Sequence, residues 1–215
     1  MTNLIENINN LKKEVPNDVS IVLATKYASI DDIGLISEAF PTLTFGENRV
    51  QHGEEKQAEY PNISNKWHFI GHLQRNKVKK VITNYSLIHS IDSVRLIEEI
   101  DIQAHKKNII SEILIQVNPL QEESKHGFSK NELEKIEETL LNFKNVKIKG
   151  LMCMAPFTEN YKEIQKTFKE SRRIYDNMLL KGFNFNYLSM GMSNDYKIAI
   201  DEGSNMIRVG SIVFR

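Results

Sequence analysis

Lys26 closes the run Ile21-Val22-Leu23-Ala24-Thr25, a placement that could do chemistry. An aliphatic run of this kind reads as a buried β-strand, and an ammonium beside it is costly to desolvate. Burial lowers the pKa of such a group and favours the neutral amine. A neutral amine at the mouth of a fold is the form that condenses with a carbonyl compound to give a Schiff base. The plain alternative is a lysine that snorkels to solvent at a strand end. A second set lies near the C-terminus. Gly191 and Ser193 open a loop in which Ser193 or Asn194 can cap a short helix running to about Asp201, with Gly203 as its stop. Gly210 permits close backbone approach, and the hydroxyls of Ser193 and Ser211 add donors. These residues can cradle a phosphate; a glycine bend and a helix cap with no ligand would use the same ones. Arg208 sits inside an apolar strand between Ile207 and Val209, so its guanidinium needs partners. They can be a carboxylate across the fold, or a ring nitrogen or anion of a ligand.

Other reactive side chains carry less. His68 and His72 have the spacing of a helical metal pair but straddle a strand end and the Gly71 turn, so no metal site is expected of them. Cys153 precedes Met154 on an apolar strand and reads as packing. Neither a Gly-x-Ser-x-Gly elbow nor a Gly-x-x-x-x-Gly-Lys phosphate loop occurs.

The elements that must position these groups alternate. Apolar runs at 21–25, 43–46, 67–71, 87–91, 112–117, 147–154, 187–191 and 206–214 give eight candidate strands. Helical spacing predicts helices over 30–40, 94–105, 133–143 and 161–180, and one before the first strand with Leu4, Ile8 and Leu11 on one face. Alternation of this kind predicts an α/β fold with a covered parallel sheet. Eight units in 215 residues predict a single compact (β/α)₈ TIM barrel spanning 1–215. An open doubly wound sheet is the other reading, but no Gly-x-Gly-x-x-Gly follows the first strand. In a barrel, ligand groups lie where strands end. That places Lys26, Asn48, Gly71, His72, Ser90, Asp92 and Asn118 at one mouth.

Lys plus Arg equals Asp plus Glu at 28 each, which gives no support to nucleic-acid binding through a basic face. No apolar stretch approaches the roughly 20 residues that span a bilayer. The N-terminal residues lack the layout of a secretory signal, and one cysteine forms no intrachain disulfide. A cytoplasmic protein is expected.

Several segments occur together in order: Lys26 ending strand one, Phe45-Gly46-Glu47-Asn48, Trp67 through Lys77, Gly150-Leu151-Met152, Leu188 through Ser193, and Arg208-Val209-Gly210. With these, the chain resembles the pyridoxal phosphate (PLP) homeostasis proteins, also called the proline-synthase co-transcribed family. The resemblance implies a barrel of the alanine racemase N-terminal type holding pyridoxal 5'-phosphate as an internal aldimine. Carried over by position, Lys26 is the Schiff-base lysine, and Arg208 faces the pyridine nitrogen. Ser193, Gly210 and Ser211 bind the phosphate, and Asn48 lies in a motif near the cofactor. Ser211 departs from the more usual threonine but keeps the hydroxyl. The chain ends Val213-Phe214-Arg215, where a glycine often follows the phenylalanine.

Alanine racemases resemble this chain only in the barrel. They add a C-terminal β-domain carrying a tyrosine base, for which no room is expected here, and a strand-six histidine that residues 150–156 lack. The implied function is therefore a PLP carrier or buffer affecting PLP and amino-acid balance, with no residue assigned a catalytic role. Apo PLP enzymes are the implied recipients, and a monomer is expected. The alternatives are a PLP-dependent racemase or lyase with a weak or unidentified substrate, and a cofactor-free barrel acting on a phosphosugar.

Overall fold

The computed structural model describes residues 2–122 and 125–215. Eight parallel strands form in sequence order: β1 (Ser20–Ala24), β2 (Thr44–Glu47), β3 (Trp67–Phe69), β4 (Leu87–Ile91), β5 (Ser111–Val117), β6 (Val146–Cys153), β7 (Tyr187–Ser189) and β8 (Met206–Val209). They close into a barrel in which β1 pairs with β8, Val22 opposite Arg208. Around it run α1 (Thr2–Glu14), α2 (Ile30–Ala39), α3 (Val50–Glu59), α4 (Val78–Asn84), α5 (Val94–Lys107), α6 (Lys130–Leu141), α7 (Tyr161–Leu180), α8 (Tyr196–Asp201) and α9 (Ser211–Phe214). Helix starts follow local chemistry. Ser29 and Asp32 form a reciprocal capping box on α2, and Ser129 and Glu132 do the same on α6. Each cap contributes about 1 kcal/mol.

Strand periodicity sorts side chains into two apolar layers. Outward residues such as Leu23, Phe45, Phe69, Ile113, Leu151 and Ile207 pack under the helices as the main core. Inward residues Val22, Leu87, Leu114, Met152 and Met206 form a small apolar plug inside the barrel. Met206 and Arg208 share the inward face of β8, while Ile207 and Val209 face the helices. An arginine in an apolar run is therefore an inward-facing polar position in a strand covered on both sides.

Three expectations are corrected. Strand eight ends at Val209 rather than Phe214, because Gly210 turns the chain into α9, whose Val213 and Phe214 amides bond the Gly210 carbonyl. The apolar residues after Gly210 thus cover the barrel end as a helical turn. Ser193 and Asn194 do not cap α8; Asp195 stands at its N-terminus, and its Oδ1 accepts from the Met192 amide at 2.5 Å. Helices α3 and α4 form where no apolar stripe had marked a helix.

Gly191 shapes the loop after β7. Its φ is +96°, and a Cβ there would stand 2.7 Å from the Ala199 Cβ and 2.9 Å from the Tyr196 Cα. Gly191→Ala is expected to destabilise the fold by about 1–3 kcal/mol through strain and overlap. Urea unfolding checks this; an unchanged midpoint would show that the loop relaxes freely.

Candidate functional site

The strand ends carry three groups of polar side chains. The first holds Lys26. β1 stops at Ala24, and Thr25–Tyr27 form a 3₁₀ turn beyond it. The turn is fixed from below by a buried network. Lys56 Nζ, from α3, donates to the Thr25 carbonyl at 2.7 Å and to Glu47 Oε2 at 2.8 Å. Thr25 Oγ1 donates to Glu47 Oε2 at 3.0 Å, and Glu47 Oε1 accepts from the Asn48 and Arg49 amides. Glu47 is fully buried, so its charge is matched by one ammonium, one hydroxyl and two amides.

The turn lifts Lys26 out of the barrel. The residue is exposed, and its Nζ lies 4.6 Å from the centre of the Tyr27 ring. The desolvation expected from the aliphatic run is thus not found, because the strand ends two residues earlier and the turn aims Lys26 outward. Lys26 in turn holds the Tyr27 phenol below its ordinary range, chiefly through a side-chain hydrogen bond. Arg215 lies 4.1 Å from the same ring, so the chain end packs beside Lys26 through Tyr27.

The second group surrounds the start of α9. Ser193 Oγ accepts from the Gly210 amide at 3.1 Å and from the Ile212 amide at 3.4 Å. Ser193 and Gly210 are thereby brought together, with Ser211 between the two bonded amides. Asn7 of α1 holds the turn by donating to the Val213 carbonyl at 3.0 Å. Gly210 also lies against β1: a Cβ there would stand 2.9 Å from the Ala24 carbonyl oxygen.

The third group is inside the barrel. Arg208 donates from Nη1 to Ser189 Oγ at 2.7 Å and from Nη2 to the Cys153 carbonyl at 2.9 Å. No carboxylate forms an ion pair with it among the described residues, which removes the cross-barrel carboxylate reading. Burial lowers its pKa to about 10, so it stays cationic near neutrality. Ser189 contacts His89 Nδ1 at 3.1 Å, and His89 Nε2 contacts His68 Nδ1 at 3.1 Å. Arginine can only donate, which leaves the Ser189 hydroxyl hydrogen for His89 Nδ1. His89 then donates from Nε2 to His68. The chain runs one way, Arg208 to Ser189 to His89 to His68, and fixes both tautomers. It ends beside a cavity of about 480 Å³ at the opposite barrel mouth, which His68 lines with Lys66 and Glu112.

Both histidines are held neutral. Burial lowers His68 to about 4, and burial, with the charges of His68 and Arg208, puts His89 well below its ordinary range. The unfolded chain takes up these protons near pH 6.5, whereas native His68 resists until about pH 4. Their contribution to stability is complete above pH 6.5 and declines as pH falls toward 4. For His68 this amounts to about 3 kcal/mol over the whole window. Urea midpoints measured between pH 7 and 4.5 are expected to fall, less steeply in His68→Gln; equal slopes would contradict the assignment.

Asn48 lies elsewhere on the rim. It is exposed and lines a cavity of about 200 Å³ with Arg49, His72 and Lys77. Its place is set by close packing of Gly71, where a Cβ would stand 2.1 Å from the Asn48 carbonyl oxygen. His68 and His72 do not converge: one is inside the barrel, the other on the rim. Cys153 is a buried packing residue whose thiol burial pushes up to about 11. Sequence reasoning missed Glu47, Lys56, Ser189 and His89. Inward strand periodicity could have found the last two, and the carboxylate ending β2 could have pointed to Glu47.

This arrangement can be set beside known proteins. The alanine racemase N-terminal domain family matches residues 1–215. A pyridoxal phosphate homeostasis protein from Aquifex aeolicus is 40% identical over 172 residues, covering 79% of this chain and 75% of that protein. The chain belongs to the pyridoxal phosphate homeostasis proteins. PipY from Synechococcus elongatus, solved with PLP bound, superposes with a TM-score of 0.92 at 31% identity, covering 99% of this chain and 100% of PipY. Alanine racemase from Clostridium difficile shares the fold, with a TM-score of 0.80 at 17% identity over 99% of this chain and 56% of the racemase. The (β/α)₈ barrel of the alanine racemase N-terminal type read from the sequence is the observed fold.

Proposed function

We propose that this protein holds pyridoxal 5'-phosphate on Lys26 and acts as a cytoplasmic carrier or buffer in PLP homeostasis, handing the cofactor to apo PLP enzymes. One observation carries the reading. A buried arginine without a carboxylate partner among the described residues lies on β8, a hydroxyl meeting two main-chain amides stands at the turn after β8, and an exposed lysine follows β1, the strand paired with β8. These donors fit the ring nitrogen, phosphate and aldehyde of one molecule, and PipY, which shares the fold at 31% identity, was solved with that molecule bound.

When bound, PLP supplies an electrophilic aldehyde on an electron-withdrawing ring. The chain's own residues do the rest. Lys26 provides the amine. Ser193 and Ser211 would receive the phosphate at the turn after β8, where the Gly210 and Ile212 amides that donate to Ser193 Oγ could turn to it instead. Arg208 presents N–H donors to the ring nitrogen, and its retained charge opposes protonation there. A ring kept unprotonated is a weaker electron sink, which favours holding over turnover. Two groups inside the barrel that could serve as bases are also committed: His89 uses both ring nitrogens, and the Cys153 thiol stays protonated. Asn48 stands apart from these groups on the rim after β2 and would meet the cofactor only from that side. All these residues come from one barrel, which supports a monomer.

One observation favours a second reading, a PLP-dependent racemase or lyase: the Tyr27 ring lies beside Lys26, 4.6 Å from its Nζ, and a phenol is a group that can serve in general acid–base catalysis. Exchange of α-protons in deuterated water, over a panel of amino acids, separates the two. The carrier reading expects exchange no faster than free PLP gives, together with recovery of activity in an apo PLP enzyme mixed with the loaded protein. Exchange well above free PLP, lost in Tyr27→Phe, would establish an enzyme instead.

A further inference from the structure

We propose that His72, Asp92 and His126 form a binding site for a divalent transition-metal ion of the zinc class on the barrel rim. The three residues come from three successive loops at the strand C-terminal end. His72 follows β3, Asp92 follows β4 directly, and His126 lies in the loop after β5. One donor atom from each lies within 4.8 Å of the others. His72 Nδ1 stands 3.5 Å from Asp92 Oδ2, and His126 Nδ1 stands 3.9 Å from the same oxygen. Ligands about 2.0–2.1 Å from a tetrahedral ion are about 3.3 Å apart. Closing onto an ion therefore needs small movements of two exposed imidazoles and none of the backbone.

The backbone that carries them is already held. The Ser90 hydroxyl donates to the Gly71 carbonyl, next to His72. Gln116 Nε2 donates to the His126 carbonyl at 2.9 Å, and the Phe128 amide donates to the Gln116 carbonyl at 2.8 Å. The Asp92 side chain is only 13% exposed, and among the described residues its only charge partners are these two imidazoles. The two rings stack with centroids 4.9 Å apart. If both were protonated to pair with Asp92, they would repel each other. One ion between neutral Nδ1 atoms and the carboxylate satisfies all three at once. Two imidazoles and a carboxylate suit zinc and its first-row neighbours, and three protein ligands leave a position for water. The sequence could not show this set, because its members are 20 and 34 residues apart and meet only across loops.

The site stands independently of PLP binding, so it is tested on the protein loaded with PLP and without it. Zinc is titrated by calorimetry into chelator-stripped protein. One ion per chain is expected, with affinity weakened at least about tenfold in Asp92→Asn and in His126→Ala, since loss of a direct ligand costs no less than loss of its supporting contacts. His105→Ala, on the exposed face of α5, is expected to bind as the native chain does. Circular dichroism confirms that each variant is folded. Absence of stoichiometric binding, or binding undiminished in the triple variant His72→Ala/Asp92→Asn/His126→Ala, overturns the proposal.

Discussion

Lys26→Ala is expected to lose all PLP that survives desalting while folding as well as the native protein. The two effects separate because Lys26 is exposed and its ammonium lies over the ring of the exposed Tyr27. Removing it breaks no buried hydrogen bond and opens no cavity, so the unfolding free energy should stay within about 0.5 kcal/mol. The phosphate cradle and Arg208 remain, so PLP still binds reversibly, but the covalent hold is gone. The absorption band near the violet edge should vanish from the desalted variant. A persisting band would place the bond on another lysine.

Lys56→Met should cost about 3–5 kcal/mol of stability, the usual result of removing one member of a buried ion pair. Glu47 would keep the Thr25 hydroxyl and two amides but lose its only cationic partner among the described residues. The same change takes the Lys56 Nζ donor from the Thr25 carbonyl and leaves it the Ala28 amide alone. The turn bearing Lys26 should loosen, so PLP attachment should slow as well. Lys56→Met/Glu47→Leu should recover part of the stability, because the stranded charge is removed, but not the attachment rate. Urea unfolding and stopped-flow absorbance check the two arms. A single variant as stable as the native chain would mean that the pair is not matched as described.

What the sequence revealed and what it hid follow from the same physics. The barrel strands stand out because strands buried on both faces become continuous aliphatic runs, as at 21–25 and 112–117. α3 was hidden because its few buried positions are Gly53 and Lys56, which carry no apolar signal. α4 was hidden because Val78, Val81 and Ile82 are β-branched and mimic a strand. The length of β8 was misread because Ile212, Val213 and Phe214 continue an apolar run that Gly210 folds back. Arg208, Ser193 and Gly210 were legible as polar or glycine breaks in apolar context. The Arg208-to-His68 chain was not, since its links join strands up to 100 residues apart. Burial of Lys26 was the main error: a strand that ends two residues early turns a desolvated amine into an exposed one.

Borohydride trapping tests the central claim most directly. The protein is loaded with PLP, reduced, digested and mapped by mass spectrometry. A single phosphopyridoxyl group on the peptide containing Lys26 is the expected result. Label spread over surface lysines, or confined to a lysine other than Lys26, would contradict the account.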